Sequence, residues 1–100
     1  MLEKHIEQKF KKAVEATGGI CLKLDPTTMV GIPDRLAILP DGKHAFIELK
    51  QPGKKPRPIQ TRRHQQLTHL GHMVRTLDNP NNIQNLIHEI QTTQLPNPGN

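Results

Sequence analysis

Asp34, Glu48 and Lys50 are residue types that can together break a phosphodiester bond. Two carboxylates held close together repel each other unless a cation neutralises them. A hard divalent ion does this, and Mg²⁺ is commonly held by one or two carboxylates with water and substrate phosphate completing its octahedron. Such an ion polarises a phosphate and lowers the pKa of a bound water. An ammonium nearby can stabilise the developing charge or position the attacking water. A Glu-x-Lys alone is a weak signal, for which a surface ion pair is the ordinary explanation. The surroundings change that balance. Gly31-Ile32-Pro33 fixes the loop just before Asp34, and Glu48 interrupts an otherwise apolar run from Ala45 to Leu49. An unpaired carboxylate is costly in such a run.

These residues can meet only if the chain folds them together. Asp34–Leu39 and His44–Lys50 read as strands, and Pro40-Asp41-Gly42-Lys43 between them reads as a hairpin turn. A hairpin turning about Asp41-Gly42 sets Asp34 opposite or nearly opposite Glu48, where cross-strand Cβ atoms lie about 4.5–5.5 Å apart. Lys50 is two residues beyond Glu48, so both side chains share one face. Upstream, Leu2, Ile6, Phe10, Ala13 and Val14 recur at helical spacing over residues 2–17, and Gly18-Gly19 ends the helix. Residues 20–24 form a short strand, and the turn-rich stretch 25–33 is a loop. Downstream, residues 51–58 hold three prolines and a glycine and form a second loop. A helix over 59–70 stops at Gly71, and His72–Leu77 reads as a fourth strand. Asn79-Pro80-Asn81-Asn82 breaks the chain before a last helix with Ile83, Leu86, Ile87 and Ile90 on one face. The order is helix, three-strand meander, helix, strand, helix, an α/β arrangement with helices packed on one sheet. Residues 1–91 form a single domain, and residues 92–100 are a polar, disordered tail.

Composition narrows the partners. The net charge is +5, and from Lys50 to Arg63 stand Lys50, Lys54, Lys55, Arg57, Arg62 and Arg63 with no Asp or Glu among them. A field of this sign attracts polyanions, and Lys and Arg contacts to phosphate supply most non-specific nucleic-acid affinity. Arg57, Arg62 and Arg63 flank the face that carries the carboxylates and are candidate phosphate contacts. With two Phe and no Trp or Tyr, base stacking is scarcely available. The apolar content of 33% is low, so stability leans on a partner subunit, an ion or nucleic acid. No apolar run can span a bilayer, and no signal-peptide core stands at the N-terminus. A lone cysteine, Cys21, fits a reducing cytoplasm.

Gly31-Ile32-Pro33-Asp34 followed by Phe46-Ile47-Glu48-Leu49-Lys50 resembles the VRR-NUC family of the PD-(D/E)XK nuclease superfamily. Lys54-Lys55-Pro56-Arg57-Pro58-Ile59-Gln60 reinforces the likeness, as do Arg63 and Leu67 to Gly71, and it runs from about residue 2 to residue 90. The resemblance implies a restriction-endonuclease-like mixed sheet flanked by helices and metal-dependent hydrolysis of DNA. It implies that Asp34 and Glu48 hold Mg²⁺, with Mn²⁺ able to substitute, and that the Leu49 carbonyl is a further ligand. Lys50 would be the catalytic lysine, with Gln60 near the centre. A glutamate of the first helix would contribute as well. Glu3 and Glu7 both fit, and distance from Gly18-Gly19 favours Glu7. Small stand-alone members resemble phage and bacterial Holliday-junction resolvases, which act as homodimers on branched DNA in the cytoplasm of a bacterial or phage-infected cell.

The remaining candidates carry weaker signals. His5, His64, His69, His72 and His88 show no spacing for a zinc site and read as solvated or phosphate-contacting. His44 shares the face of Phe46 and Glu48 but lies near the turn. Cys21 reads as a small buried strand residue, and Met29 and Met73 as core or interface. Two function classes compete: a structure-selective endonuclease, and a basic module that binds nucleic acid without cutting it. Carboxylates repel phosphate in the absence of a metal, so Asp34 and Glu48 beside six basic residues favour the enzyme. A purely structural assembly protein ranks last.

Overall fold

A computed structural model describes residues 3–93. Its elements are α1 (Glu3–Ala16), β1 (Ile20–Lys23), β2 (Arg35–Ile38), β3 (His44–Leu49), α2 (Pro58–His69), β4 (Val74–Leu77) and α3 (Ile83–Thr92), with single 3-10 turns at Pro40–Gly42 and Pro80–Asn82. The fold is the mixed α/β arrangement expected from the sequence. Leu2 and residues 94–100 of the expected tail lie outside the described residues. Thr92 and Thr93, also assigned to that tail, belong instead to the end of α3. The Thr93 N–H donates to the Glu89 carbonyl, and its own carbonyl accepts from Lys43 Nζ at 3.2 Å.

The four strands lie in the order β1-β2-β3-β4. The first three pair antiparallel, while β4 runs parallel to β3. A parallel return needs a crossover, and α2 supplies it. The β2–β3 turn closes through Leu39 N–H to the Lys43 carbonyl at 2.8 Å, with Asp41 at φ +66° and Gly42 at φ +74°. Asp and Gly tolerate this left-handed backbone, which is why the dipeptide directs the hairpin. The resulting register pairs Arg35 with Ile47 and Ile38 with His44.

One face of the sheet is closed. Ile6, Phe10 and Val14 of α1 and Ile83, Leu86, Ile87 and Ile90 of α3 form one buried cluster with Cys21, Ala37, Leu39, Ala45, Ile47, Leu49, Met73 and Leu77. Of the two places expected for Met29, the core is not its position: it is 43% exposed, on a loop outside this cluster. The opposite face carries Ile20, Leu22, Leu36, Ile38, Phe46 and Glu48 by strand alternation. Among the described residues no helix is long and apolar enough to cross a membrane.

Candidate active site

The β2–β3 register, carried one step past the Arg35–Ile47 pair, sets Asp34 opposite Glu48 at the end of the hairpin away from its turn. The backbone holds Asp34 from both sides. Its carbonyl accepts the Leu24 N–H at 2.9 Å, and its Oδ2 accepts the Leu49 N–H at 2.8 Å. The loop before it is pinned at Gly31, whose φ is +83°. A Cβ there would meet the Ile59 carbonyl oxygen at 2.7 Å. This contact ties the approach to Asp34 onto the first turn of α2, so the hairpin and α2 are positioned together.

Glu48 is 1% exposed. Its Oε2 accepts from Gln60 Nε2 at 2.9 Å and lies 3.4 Å from Lys50 Nζ. Gln60 is itself fixed, because its Oε1 accepts the Arg57 N–H at 2.8 Å in a capping box at the head of α2. The other carboxylate oxygen, Oε1, is buried without a hydrogen-bond partner. Nε2 of His64 lies 3.7 Å from it and is likewise unpartnered. Burial pushes the Glu48 carboxyl up to about 7, the Asp34 carboxylate pushes in the same direction, and Lys50 opposes them. Burial holds His64 below its ordinary value, against the pull of Asp34.

The structure brings Asp34, Glu48, Lys50 and Gln60 together. It treats the two glutamates of α1 differently from the expectation. Glu7, the favoured candidate, is engaged by Arg35, whose Nε donates to Glu7 Oε2 at 2.8 Å. Arg35 also donates to the Cys21 carbonyl at 3.1 Å and is buried. Arg35 follows Asp34 in the strand and therefore points to the opposite face, taking Glu7 with it. Glu3, one turn earlier, is the glutamate that feels the centre. Burial raises its pKa first, and Asp34 raises it further. Glu3 also shares a cavity of about 330 Å³ with Lys50, Gln51, Lys54, Lys55 and Arg57. That cavity gathers four of the six basic residues of the 50–63 stretch. Of the other two, Arg63 bonds the Val30 carbonyl and Gln66, and Arg62 is exposed.

His64 is the residue that sequence reasoning missed. The available signal was its place four residues beyond Gln60, on the same face of α2. His44 lies near the turn as expected, with Nε2 3.4 Å from His72 Nδ1.

The donor set can be tested against a bound ion. No group of three His, Cys, Asp or Glu side chains among the described residues forms a ready metal cage. Two carboxylates, one of them with a buried, unpartnered oxygen, nevertheless fit an ion that keeps much of its water shell, as Mg²⁺ does.

No family model matches the chain. A protein of Acyrthosiphon pisum secondary endosymbiont phage 1 named "Putative nuclease p44" is 46% identical over 77 residues, which span 77% of this chain and 78% of that one. Among solved structures, a chain described as "VRR_NUC domain" matches with a TM-score of 0.80 at 33% identity, covering 86% of this chain and 94% of that one.

Proposed function

The chain belongs to the VRR-NUC nuclease family, and from that premise we propose a divalent-metal-dependent DNA endonuclease centred on Asp34, Glu48 and Lys50. The observation that carries this reading is Glu48, a buried carboxylate with one oxygen unpartnered and a second carboxylate opposite it. Burying a charge without full compensation is expensive, and a fold selected for stability alone would place an apolar residue there. A cation at the carboxylates removes that cost.

Asp34 and Glu48 would hold the ion, with the Leu49 carbonyl as a further donor, and Mg²⁺ or Mn²⁺ suits this oxygen set. When bound, the ion supplies Lewis acidity at a phosphate oxygen and a water of lowered pKa. The protein's own groups do the rest. Gln60 holds Glu48 in a single orientation through the 2.9 Å bond. Lys50, whose Nζ is 3.4 Å from Glu48, directs its ammonium at the centre and stabilises charge developing on the phosphate. Glu3 is the first-helix acid, since Glu7 is occupied by Arg35. Lys54, Lys55 and Arg57 hold the DNA backbone beside the centre, and Arg62 and Arg63 continue that grip along α2.

The protein acts on branched DNA, such as a four-way junction or flap, as a homodimer in the cytoplasm of a bacterial or phage-infected cell. Support for a dimer lies on the open face of the sheet. Ile20 (57% exposed) and Leu22 (45%) stand opposite Ile38 and Leu36, and Leu36 stands opposite Phe46. Exposed apolar surface of this kind marks an interface, and a second copy offers the same surface in return. Two equivalent centres suit a junction whose two strands must both be cut.

The test is cleavage of a labelled four-way junction and a matching linear duplex with Mg²⁺, Mn²⁺ or EDTA, with light scattering on the same protein. Paired metal-dependent cuts in the junction by a two-chain particle are expected. Equal cutting of both substrates would remove the junction preference. Tight binding without cutting under any metal would favour the binding-module reading.

A further inference from the structure

His64 is the one side chain at the centre for which the proposed reaction has found no use. It sits one helical turn beyond Gln60, so the two project from the same face of α2 toward Glu48. They divide its carboxylate between them: Gln60 bonds Oε2 at 2.9 Å, and His64 faces Oε1. The second approach is not a hydrogen bond. Its 3.7 Å separation is well beyond the roughly 2.9 Å of an N–H···O bond, and both atoms are buried without any partner. Two unpartnered buried polar atoms facing each other across a gap are unusual in a folded protein, where most such atoms are paired. Ligand bonds of about 2.1 Å to one shared ion hold their donor atoms within about 3–3.5 Å of each other. The gap is therefore a few tenths of an ångström from the spacing of two ligands on one ion.

We propose that His64 Nε2 is a third side-chain ligand of the ion held by Asp34 and Glu48, tuning the centre toward later first-row divalent ions at the expense of Mg²⁺. The inference rests on the metal-dependent reading of this same site. Its chemical content lies in the donor type. Mg²⁺ prefers an all-oxygen shell, whereas imidazole nitrogen suits transition ions, whose affinities rise from Mn²⁺ through Co²⁺. A centre of two carboxylates alone discriminates little in this direction, and one added imidazole does.

The experiment uses the full chain without DNA and reads binding of Co²⁺ and Mg²⁺ by calorimetry, with the visible absorption of bound Co²⁺ as a direct report on its ligands. It is done in a His44→Ala background, because His44 Nε2 and His72 Nδ1, 3.4 Å apart, could bind Co²⁺ themselves. Adding His64→Ala should weaken Co²⁺ about tenfold, leave Mg²⁺ within about twofold and shift the Co²⁺ spectrum. His64→Gln, which keeps a polar side chain of similar reach, should behave alike, and thermal melting checks that each variant is folded. Equal losses for both ions, or an unchanged Co²⁺ spectrum, would overturn the proposal. Asp34→Ala tells failure of the histidine from failure of the metal site. Full retention of both ions in that variant would remove the metal-dependent reading itself, whereas loss of both with an unaffected His64→Ala would remove only the histidine.

Discussion

Strand β3 presents Ala45, Ile47 and Leu49 to one face of the sheet and His44, Phe46 and Glu48 to the other. On the first face the neighbours are apolar except Arg35, which is paired with Glu7, and α1 and α3 close the layer. On the second, α2 covers Glu48 while Ile20 and Leu22 remain in solvent. Ile47 and Glu48 are adjacent and almost equally buried, yet for different reasons. Ile47 is buried because removal from water stabilises it. Glu48 is buried although removal from water destabilises its charge, with Gln60 and Lys50 offsetting part of that cost and one oxygen left unpaired. Removal of apolar surface from water accounts for the first face, whereas Glu48 on the second keeps a buried oxygen without a hydrogen-bond partner.

The widest separation between the faces should come from paired variants. Lys50→Ala should lower cleavage by about 10²–10³-fold, the scale of losing one charge-stabilising group. It should cost less stability than a core truncation, because Glu48 can take up a proton when its partner is lost. Ile47→Ala should cost about 2–5 kcal/mol of stability, read by denaturant unfolding. Cleavage that survives in the lysine variant would erase the distinction. A second pair probes the α1 glutamates. Glu7→Ala leaves Arg35 buried without its partner and should cost about 3 kcal/mol while the folded fraction still cuts. Glu3→Ala should reduce cleavage with much less effect on unfolding. The reverse outcome would restore Glu7 to the centre.

That second pair also marks where the sequence stopped being legible. The hairpin was readable because Asp41-Gly42 sets the register, and register alone puts Asp34 across from Glu48. Strand alternation then aligned Lys50, whereas Gln60 was expected only through the family resemblance. Glu3 and Glu7 could not be separated in the same way. They lie four residues apart on one side of α1, and the choice depends on Arg35, which meets that helix only in the tertiary fold. His64 was within reach of sequence reasoning through its spacing from Gln60. Its approach to Glu48, however, exists only once α2 is packed on the sheet. Exposure of Met29 also depended on packing, since apolar character alone cannot say which side of the sheet a loop will leave open.

A pH series sharpens the contrast at Glu48. Its folded pKa of about 7 stands above the ordinary 4.5, so the folded state binds the proton more tightly. The stability contributed by that proton is present at low pH and is lost as pH rises from about 4.5 through 7. Metal-free protein should therefore melt lower at pH 8 than at pH 5 by an amount that Glu48→Gln removes. Added Mg²⁺ should restore melting most at the higher pH. A slope identical in wild type and variant would assign the effect to other groups.

The smallest effect is expected on the exposed side of α2. Replacing Arg62 and Arg63 with alanine should weaken DNA binding without a change in fold. The slope of log K against log salt should fall by about one for each phosphate that is no longer neutralised. An unchanged slope would take both residues out of the DNA path.

The decisive measurement is cleavage of labelled DNA in Mg²⁺ and in EDTA by wild type and by Glu48→Gln, which keeps the size of the side chain and removes its charge. A metal held at the carboxylates predicts Mg²⁺-dependent cutting by the wild type. The variant should cut at least about 10³-fold more slowly while melting at the same temperature or higher, because a buried charge has gone. Cutting by the variant at the wild-type rate, or by the wild type in EDTA, would contradict a metal centre built on Glu48.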